Sequence, residues 1–372
     1  SASLMKKFLL VSPKNRTVYN FRGDLIRDIR AKGYNVVVTG PNRDHIDRIE
    51  ALGARFIEIP MDKTGINILS DLRYLWRLFK VIRQEKPDIT LGYTIKPVIY
   101  GSIAACLAGV PNRNSMITGA GYLFTGTSLK AKILRTLALV LYRIGLGCVH
   151  RVIFQNPDDR AEFVSKGLLP ASKCRAVNGS GVNMEHFAPR PLPAQLTFFM
   201  LSRVLFSKGI REYLQAAERV KSRHGEVRFM LLGAVEHMPD ALTMSDLQPY
   251  IDAGVVDYFG ETSDVRDYIG QCSVFVLPSY REGTPRTVLE AMAMRRAILT
   301  TDVPGCRETV VPGENGFLVP AGNADALAER MIWFIEHPGR IEEMAERSLE
   351  LCREKYEIGR VNRTMLEIMN VV

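Results

Sequence analysis

The sequence predicts an α/β protein made of two doubly wound, Rossmann-like domains, each with its own parallel sheet. The chain has 372 residues, which suits two domains of roughly 150–200 residues. Short apolar runs alternate along it with helical patterns, and strands without polar alternation are typical of parallel sheets covered on both faces. A stretch rich in Gly, Pro and Asn at 178–195 interrupts both patterns and indicates a linker.

The strands are predicted from β-branched and aromatic runs bounded by turn residues. Seven precede the linker, at 8–12, 36–39, 55–59, 89–93, 114–118, 152–156 and 174–178. Six follow it, at 197–201, 228–233, 255–260, 274–279, 297–301 and 316–320. We predict domains of residues 1–185 and 186–372, and we expect the last helix, about 355–372, to return to the first domain. Ligands of such sheets bind at the carboxyl ends of the strands, so two facing domains predict a central ligand-binding cleft.

Composition excludes several classes of protein. No apolar run approaches the ~20 residues that a membrane-spanning helix needs. The six cysteines contain no C-x-x-C pair, which argues against a zinc ribbon or a disulfide framework and fits a reducing compartment. The six histidines show no paired spacing, so we predict no metal site.

Charge is divided unequally along the chain. Residues 1–190 hold 29 Lys and Arg against 14 Asp and Glu, a net charge of +15, and residues 191–372 carry −6. A basic half of this kind predicts a negatively charged partner, and nucleic acid, anionic lipid and phosphorylated substrates all fit.

The segment LSRVLFSKG (201–209) combines two cations with a helix start. Arg203 and Lys208 follow a predicted strand, and a turn closed by Gly209 leads into a helix. Two cations beside a helix N-terminus favour an anion site, since free N–H groups and the helix dipole add to the side-chain charge. Two solvated surface cations would give the same pattern. The Walker phosphate-binding pattern is absent.

The segment EGTPRTVLE (282–290) follows the apolar strand predicted at 274–279. Glu282 stands at the strand end, where it suits sugar hydroxyls, and Glu290 suits the diol of a ribose. The backbone N–H groups of 283–288 would face an anion at the start of the next helix. A turn followed by a solvated helix start is the simpler alternative, but the Arg203–Lys208 turn upstream favours a ligand site.

These residues carry a family resemblance. It rests on Arg203 with Lys208, the segment 278–320 and GVNMEHFAP (181–189). In these segments the chain resembles family 4 of the retaining glycosyltransferases, which have the GT-B fold of two Rossmann-like domains facing a central cleft. The segments VYNFR (18–22) and TGAGYLFTG (118–126) are similar to bacterial PglA-like transferases that act on polyprenyl-diphosphate-linked sugars.

The resemblance implies roles in binding a nucleotide-sugar donor. Arg203 and Lys208 would neutralise the departing diphosphate, and Glu282 would contact the transferred sugar. The other implied contacts are Glu290 at the ribose, the backbone of Gly283, Thr284 and Pro285 beside the sugar, the backbone of Arg286, Thr287 and Val288 along the diphosphate, and Gly260 and Glu261 near the base. It also implies retention at the anomeric carbon without metal or cofactor, driven by electrostatics and positioning. The absence of a D-x-D pair agrees with that expectation.

The first domain departs from the family pattern in two places. The loop at 12–22 lacks the family's glycines, and Asn15 stands where a glycine is expected. Because Asn tolerates left-handed backbone better than most residues, we expect it to substitute there, with Lys14 and Arg16 supplying charge to the substrate. Gly119 and Gly121 would offer backbone groups to the acceptor, and we identify no general base.

Two basic helices point to a membrane surface. The helix predicted at 71–87 places Leu72, Leu75, Trp76 and Phe79 on one stripe and carries five cations; the helix at 128–147 carries Lys130, Lys132, Arg135 and Arg143. Such helices bind anionic membrane interfaces. Alternatively, each apolar face packs on the first sheet, in which case the cations alone could meet lipid.

The pattern favours a retaining glycosyltransferase that moves GalNAc, GlcNAc or Gal from a UDP-sugar to a polyprenyl-diphosphate-linked saccharide, in bacterial surface-glycan or glycoprotein-glycan biosynthesis. We expect it to be cytoplasmic and peripherally attached to the inner face of the cell membrane. A nucleotide-sugar 2-epimerase of the same fold is the alternative enzyme. A nucleic-acid-binding protein would also explain the positive charge of the first half. The sequence contains no recognition helix or aromatic-basic RNA motif, however, so we expect no nucleic-acid partner.

Overall fold

The computed structural model describes residues 5–62, 67–119 and 128–372. Its contacts divide the chain into two compact units: unit 1 comprises residues 1–180 with 359–372, and unit 2 comprises residues 181–358. This division falls five residues before the predicted boundary at 185/186. The predicted α/β class is confirmed, and each of the thirteen predicted strands overlaps a strand of the structure.

Unit 1 contains a parallel sheet of seven strands. The strands are β1 (Lys7–Val11), β2 (Asn35–Gly40), β3 (Arg55–Glu58), β4 (Ile89–Tyr93), β5 (Asn112–Ile117), β6 (Arg151–Phe154) and β7 (Cys174–Ala176). Their order across the sheet is β3-β2-β1-β4-β5-β6-β7, so the direction of winding reverses between β1 and β4. In doubly wound sheets, ligands bind beyond the strand ends at such a reversal.

Helices cover both faces of this sheet. They are α1 (Asn15–Phe21), α2 (Gly23–Ala31), α3 (Ile46–Glu50), α4 (Ile68–Glu85), α5 (Ser102–Leu107), α6 (Leu129–Gly147) and α7 (Pro157–Ser165). Alternate residues of β1 pack into two separate cores, Phe8 and Leu10 into one and Leu9 and Val11 into the other. A strand buried on both faces explains why the sequence shows continuous apolar runs.

Unit 2 contains a second parallel sheet, of six strands. Its strands are β8 (Thr197–Leu201), β9 (Arg228–Leu232), β10 (Asp257–Tyr258), β11 (Val274–Leu277), β12 (Ala297–Thr301) and β13 (Gly316–Val319). Its helices are α8 (Ile210–Lys221), α9 (Met244–Asp252), α10 (Arg266–Gly270), α11 (Arg286–Ala293), α12 (Ala324–Glu336) and α13 (Ile341–Lys355). The strand order is β10-β9-β8-β11-β12-β13, so winding reverses between β8 and β11.

The chain ends in α14 (Ile358–Ile368), nearly all of which belongs to unit 1. Val361 and Met365 are buried in the same core as Phe8. The Asn112 side chain donates a 2.7 Å hydrogen bond to the Met369 carbonyl oxygen, which fixes the end of the helix beside β5. Apolar burial and a polar tie thus hold the last residues on the first sheet.

Arg296 lies wholly buried before β12 and organises the start of unit 2. Its guanidinium donates hydrogen bonds of 3.0–3.2 Å to the carbonyl oxygens of Ile269 and Gly270 at the end of α10, and of Arg190 and Pro191 in the linker. Burial lowers the pKa of Arg296 below its ordinary value. These four bonds let a charged side chain occupy the interior, and they fasten the linker to the second sheet.

Replacing Arg296 should therefore destabilise unit 2. In Arg296→Met, the buried Ile269 carbonyl oxygen and three partly buried carbonyl oxygens lose their donor. An unsatisfied buried acceptor costs ~1–3 kcal/mol, so we expect the free energy of unfolding to fall by about 3 kcal/mol. Urea unfolding followed by circular dichroism measures the change. Arg353→Met, on the exposed side of α13, is the matched control and should change stability by less than about 0.5 kcal/mol. Equal stability of the two variants would contradict this account.

Candidate active site

Two oppositely charged side chains meet where the winding of the second sheet reverses. Lys208 lies in the turn after β8, and Glu282 lies in the loop after β11, the neighbouring strand. Lys208 Nζ is 2.6 Å from Glu282 Oε1, and the two side chains are only 21% and 11% exposed. The structure thus brings together the two segments that the sequence predicted separately.

The turn that carries Lys208 is packed directly against the loop that carries Glu282. The Tyr280 N–H donates a 2.9 Å hydrogen bond to the Ser207 carbonyl oxygen. Gly209 has φ of 80°, and a Cβ there would lie 2.1 Å from the Pro278 carbonyl oxygen. Only glycine combines this backbone conformation with so close an approach, so Gly209 allows Lys208 to reach Glu282.

A second loop, after β12, supports Glu282 from the other side. The Glu282 N–H donates to the Pro304 carbonyl oxygen at 3.0 Å. Gly305 has φ of 84°, and a Cβ there would lie 2.1 Å from the Glu282 carbonyl oxygen. Within the loop, the Ser279 hydroxyl donates to Glu282 Oε1 at 2.8 Å. No role was predicted for Ser279, Pro304 or Gly305; the available signal was a Pro-Gly pair three residues after a buried strand.

Arg203 lies at the end of β8 but is more exposed than Lys208. Its Nη1 is 3.5 Å from Glu236 Oε2, in the loop after β9, and its side chain is 54% exposed. The same loop contains Asp240, which accepts hydrogen bonds from the N–H and hydroxyl groups of Ser207. This acidic loop was not predicted from the sequence, although it contacts Arg203 through Glu236 and the residue before Lys208 through Asp240.

The helix predicted after Glu282 is α11, which starts at Arg286 with Pro285 as its N-cap. The N–H groups of Arg286 and Val288 donate to the carbonyl oxygens of Thr284 and Pro285, each at 3.0 Å. Two of the backbone N–H groups predicted to bind the diphosphate therefore already donate hydrogen bonds within the turn. Thr287 follows Arg286 in the first turn of the helix. Gly283 and Thr284 are half-buried in the loop leading to it.

Glu290 lies half-buried on α11, one helical turn after Arg286. Burial raises the pKa of Glu290 to about 7, and the positive charge of Arg286 opposes that shift. No hydrogen bond to its carboxyl group comes from the part of the chain that the structure describes. Its charge therefore changes near neutral pH, and its oxygens suit an external donor such as a pair of hydroxyl groups.

Gly260 and Glu261 follow β10, two strands away from β8. The Gly260 carbonyl oxygen accepts a 2.7 Å hydrogen bond from the N–H of Gly233, which ends β9. A Cβ on Gly233 would overlap the Ser202 carbonyl oxygen, 1.6 Å away. These contacts place Gly260 on the same carboxyl edge as Arg203, and Glu261 beside it is exposed.

The expected left-handed backbone at Asn15 is wrong. Asn15 is the first residue of α1 and does not have a positive φ. Its buried side-chain amide donates to the carbonyl oxygens of Asn42 and Asp44, at 3.0 and 2.8 Å, in the loop after β2. Gly40 makes room for this side chain, since a Cβ there would lie 2.1 Å from Asn15 Oδ1. The loop after β1 is therefore shaped by a side-chain amide, where the family has glycines.

The other predicted contacts in unit 1 are spread along the sheet edge. Arg16 is exposed in the first turn of α1. Gly119 follows β5 with φ of 150°, next to Thr118, whose hydroxyl is 3.4 Å from that of Thr94. Gly121 lies outside the described residues. In the described part of the chain, no group of three or more His, Cys, Asp or Glu residues could hold a metal ion.

Two family models match the chain. Residues 195–337 match the glycosyl transferases group 1, and residues 7–156 match the glycosyl transferase 4-like group. The two models together span most of both units, so the predicted resemblance to glycosyltransferase family 4 is confirmed, and a GT-B fold of two Rossmann-like domains accounts for the two sheets. It is accordingly a glycosyltransferase.

Curated relatives extend along most of the chain. The N,N'-diacetylbacillosaminyl-diphospho-undecaprenol alpha-1,3-N-acetylgalactosaminyltransferase of Campylobacter jejuni is 26% identical over 340 residues, 88% of each chain. The UDP-Gal:alpha-D-GlcNAc-diphosphoundecaprenol alpha-1,3-galactosyltransferase of Escherichia coli is 26% identical over 308 residues, 79% of this chain and 77% of the relative. The predicted likeness to transferases of this type is confirmed.

Solved structures agree on the fold. HepE from Anabaena, in complex with UDP, superimposes with a TM-score of 0.79 and 15% identity, covering 98% of this chain and 100% of HepE. A glycosyltransferase from Rickettsia africae gives a TM-score of 0.78 with 17% identity, covering 99% and 98% of the two chains.

The raised pKa of Glu290 predicts a pH-dependent effect on stability. Because burial raises the pKa of Glu290 from 4.5 to about 7, the folded state loses stability as pH rises from about 4.5 to about 7, and the loss is complete above that pH. Glu290→Gln should therefore gain melting temperature relative to the wild type between pH 5 and pH 8, by about 5 °C. Differential scanning fluorimetry tests this. Glu329→Gln, an exposed position on α12, should show no such trend, and parallel curves for the two variants would refute the assignment.

Proposed function

We propose that this glycosyltransferase moves an N-acetylhexosamine or hexose (GalNAc, GlcNAc or Gal) from a UDP-sugar to a polyprenyl-diphosphate-linked saccharide in bacterial surface-glycan or glycoprotein-glycan biosynthesis. The observation that carries the proposal is the contact between Lys208 and Glu282 at the reversal of the second sheet. The names of the Campylobacter and Escherichia relatives, which act on undecaprenyl-diphosphate-linked sugars, support the acceptor class.

The site offers each part of a UDP-sugar a suitable group. Lys208 and Arg203 would stabilise the negative charge that develops on the diphosphate as its bond to the anomeric carbon breaks. Glu282 would accept hydrogen bonds from the sugar hydroxyls, and Glu290 would accept them from the ribose. We further propose retention at the anomeric carbon without a metal ion, with the departing phosphate taking the acceptor's proton.

The 2-epimerase alternative gains no support from the relatives, since those named above are transferases. An epimerase needs acid and base groups at the sugar, and Glu282 is the one carboxylate that we place there. Incubation with a UDP-sugar in the absence of acceptor distinguishes the two enzymes, because epimerisation alone proceeds under that condition.

The surface of α4 supports attachment to a membrane. The residues of α4 that face the sheet are Tyr74, Leu78 and Ile82. One alternative predicted that Leu72 and Trp76 pack against the first sheet. Both side chains are more than half exposed, so this alternative is wrong for these two residues. Leu75 and Phe79 of the same stripe are partly buried against the core.

The surface of α6 repeats this arrangement. Its sheet-facing residues Ala138, Tyr142 and Leu146 join the same core as α4, so both helices lie on one face of the first sheet. Among the described residues, nine of the seventeen exposed large apolar side chains lie on these two helices: Ile68, Leu69, Leu72 and Trp76 on α4, and Leu129, Ile133, Leu134, Val140 and Ile144 on α6.

Apolar side chains and cations on one surface fit an anionic bilayer. Exposed cations alternate with the apolar residues on both helices: Arg73, Arg77, Lys80 and Arg83 on α4, and Lys130, Lys132 and Arg143 on α6. Arg135 is half-buried, so it is less available than predicted. Of the helices that the structure describes, none has the length and hydrophobicity that crossing a bilayer requires. We therefore include peripheral attachment of unit 1 to the inner face of the cell membrane in the proposal.

Transfer activity should depend on the paired charges. Lys208→Ala and Arg203→Ala should each lower turnover by about 10²–10³-fold, the usual loss when a group that stabilises developing charge is removed. Glu282→Ala should cost a similar factor, because the transferred sugar loses the carboxylate that positions it. The measurement is sugar transfer from UDP-GalNAc, UDP-GlcNAc or UDP-Gal to a synthetic undecaprenyl-diphosphate-linked sugar. Glu329→Ala is the control and should retain wild-type turnover. Near-normal turnover of Lys208→Ala would disprove the proposed role of Lys208 in stabilising the departing diphosphate.

Binding to lipid should depend on the exposed side chains of α4 and α6. Lys130→Gln/Lys132→Gln should weaken binding to phosphatidylglycerol vesicles about thirtyfold, since each interfacial cation contributes ~1 kcal/mol. Leu72→Ser/Trp76→Ser should weaken it at least about tenfold, because two exposed apolar side chains no longer enter the interface. Vesicle co-sedimentation measures the affinity. Arg223→Gln/Arg353→Gln, which neutralises two exposed cations of unit 2, should leave binding unchanged. Undiminished binding of both α4 and α6 variants would exclude this surface.

A further inference from the structure

Each of the two cations proposed to bind the diphosphate is paired with a carboxylate of unit 2. Lys208 contacts Glu282 at 2.6 Å, and Arg203 contacts Glu236 at 3.5 Å. The first pair is mostly buried, whereas the Arg203 side chain is more than half exposed. Both cations thus have a counter-ion within the protein itself.

The contact with Glu282 engages one carboxylate oxygen fully. Oε1 accepts hydrogen bonds from Lys208 at 2.6 Å and from the Ser279 hydroxyl at 2.8 Å. The backbone of Glu282 is fixed by Pro304 and Gly305, so the carboxylate cannot move far from Lys208. A diphosphate that approaches Lys208 must therefore share its charge with Glu282 and lie close to a like charge.

We infer that Glu282 and Glu236 act as internal counter-anions, which compete with the diphosphate for Lys208 and Arg203 and thereby speed the release of UDP after transfer. The inference rests on the proposed function. While the sugar is attached, its hydroxyl groups offer Glu282 hydrogen bonds that offset the repulsion. Once the sugar has left, UDP offers no such bond, and the carboxylate regains Lys208 as the nucleotide departs.

The exposure of the two pairs predicts their relative strength. A buried, charge-assisted hydrogen bond is stronger than a solvated ion pair, which contributes little. Glu282 should therefore oppose UDP binding more strongly than Glu236. Asp240 lies in the same loop as Glu236, but its carboxylate accepts hydrogen bonds from Ser207 and from neither cation. It should therefore not compete with the diphosphate.

The test measures UDP binding by isothermal titration calorimetry and UDP release by stopped-flow displacement, with the full chain. Glu282→Gln should bind UDP about tenfold more tightly than the wild type, the effect of one charge-assisted hydrogen bond, and should release it correspondingly more slowly. Glu236→Gln should tighten binding about twofold, as expected for an exposed pair. Glu329→Gln, with the same change of charge on α12, should bind as the wild type does.

Lys208→Ala separates this inference from the proposed function. If Lys208→Ala weakens UDP binding while Glu282→Gln binds UDP no more tightly than the wild type, the counter-anion role is wrong and the donor site stands. If the wild type does not bind UDP, both the inference and the proposed donor are wrong. Should Glu282→Gln fail to fold by circular dichroism, Glu236→Gln decides alone, and unchanged affinity in that variant overturns the inference.

Discussion

The ion pair between Lys208 and Glu282 is the contact on which the carboxyl edge of the second sheet depends. Two partly buried charges are tolerated only when they meet at hydrogen-bonding distance, because either one alone would be costly to desolvate. That requirement draws the turn after β8 against the loop after β11. Gly209 and Gly305 lie one on each side of the ion pair. Both have positive φ, and the absence of a Cβ allows the neighbouring backbone to approach closely.

The strands and the meeting of the candidate site segments at one sheet edge could be predicted from the sequence for a physical reason. Parallel strands buried on both faces appear as continuous apolar runs, and polar residues that follow them must lie at the ligand-binding edge. The pairing of Lys208 with Glu282 could not be predicted, because it depends on β11 lying beside β8, and strand order is not encoded locally. Glu236 was missed for the same reason, since a single acid after β9 forms no motif.

Unit 1 shows where pattern and structure diverge. A helix such as α4 carries two apolar stripes, one with Tyr74 and Leu78 and another with Leu72 and Trp76, and periodicity does not indicate which stripe faces the sheet. Asn15 was interpreted through its own backbone preference, whereas its side chain acts by bonding to a loop 27 residues further along the chain. In both cases tertiary contacts decide between locally equivalent options.

With the lipid-linked acceptor that we propose, the exposed apolar side chains of α4 and α6 would have a kinetic consequence. Residues such as Trp76 and Leu129, inserted among lipid headgroups, would confine the search for the acceptor to two dimensions. Confinement raises the effective concentration of a partner without any new contact between them. The rate would then follow the number of acceptors per unit area of bilayer, so added inert lipid would slow the enzyme even at a constant bulk concentration of acceptor.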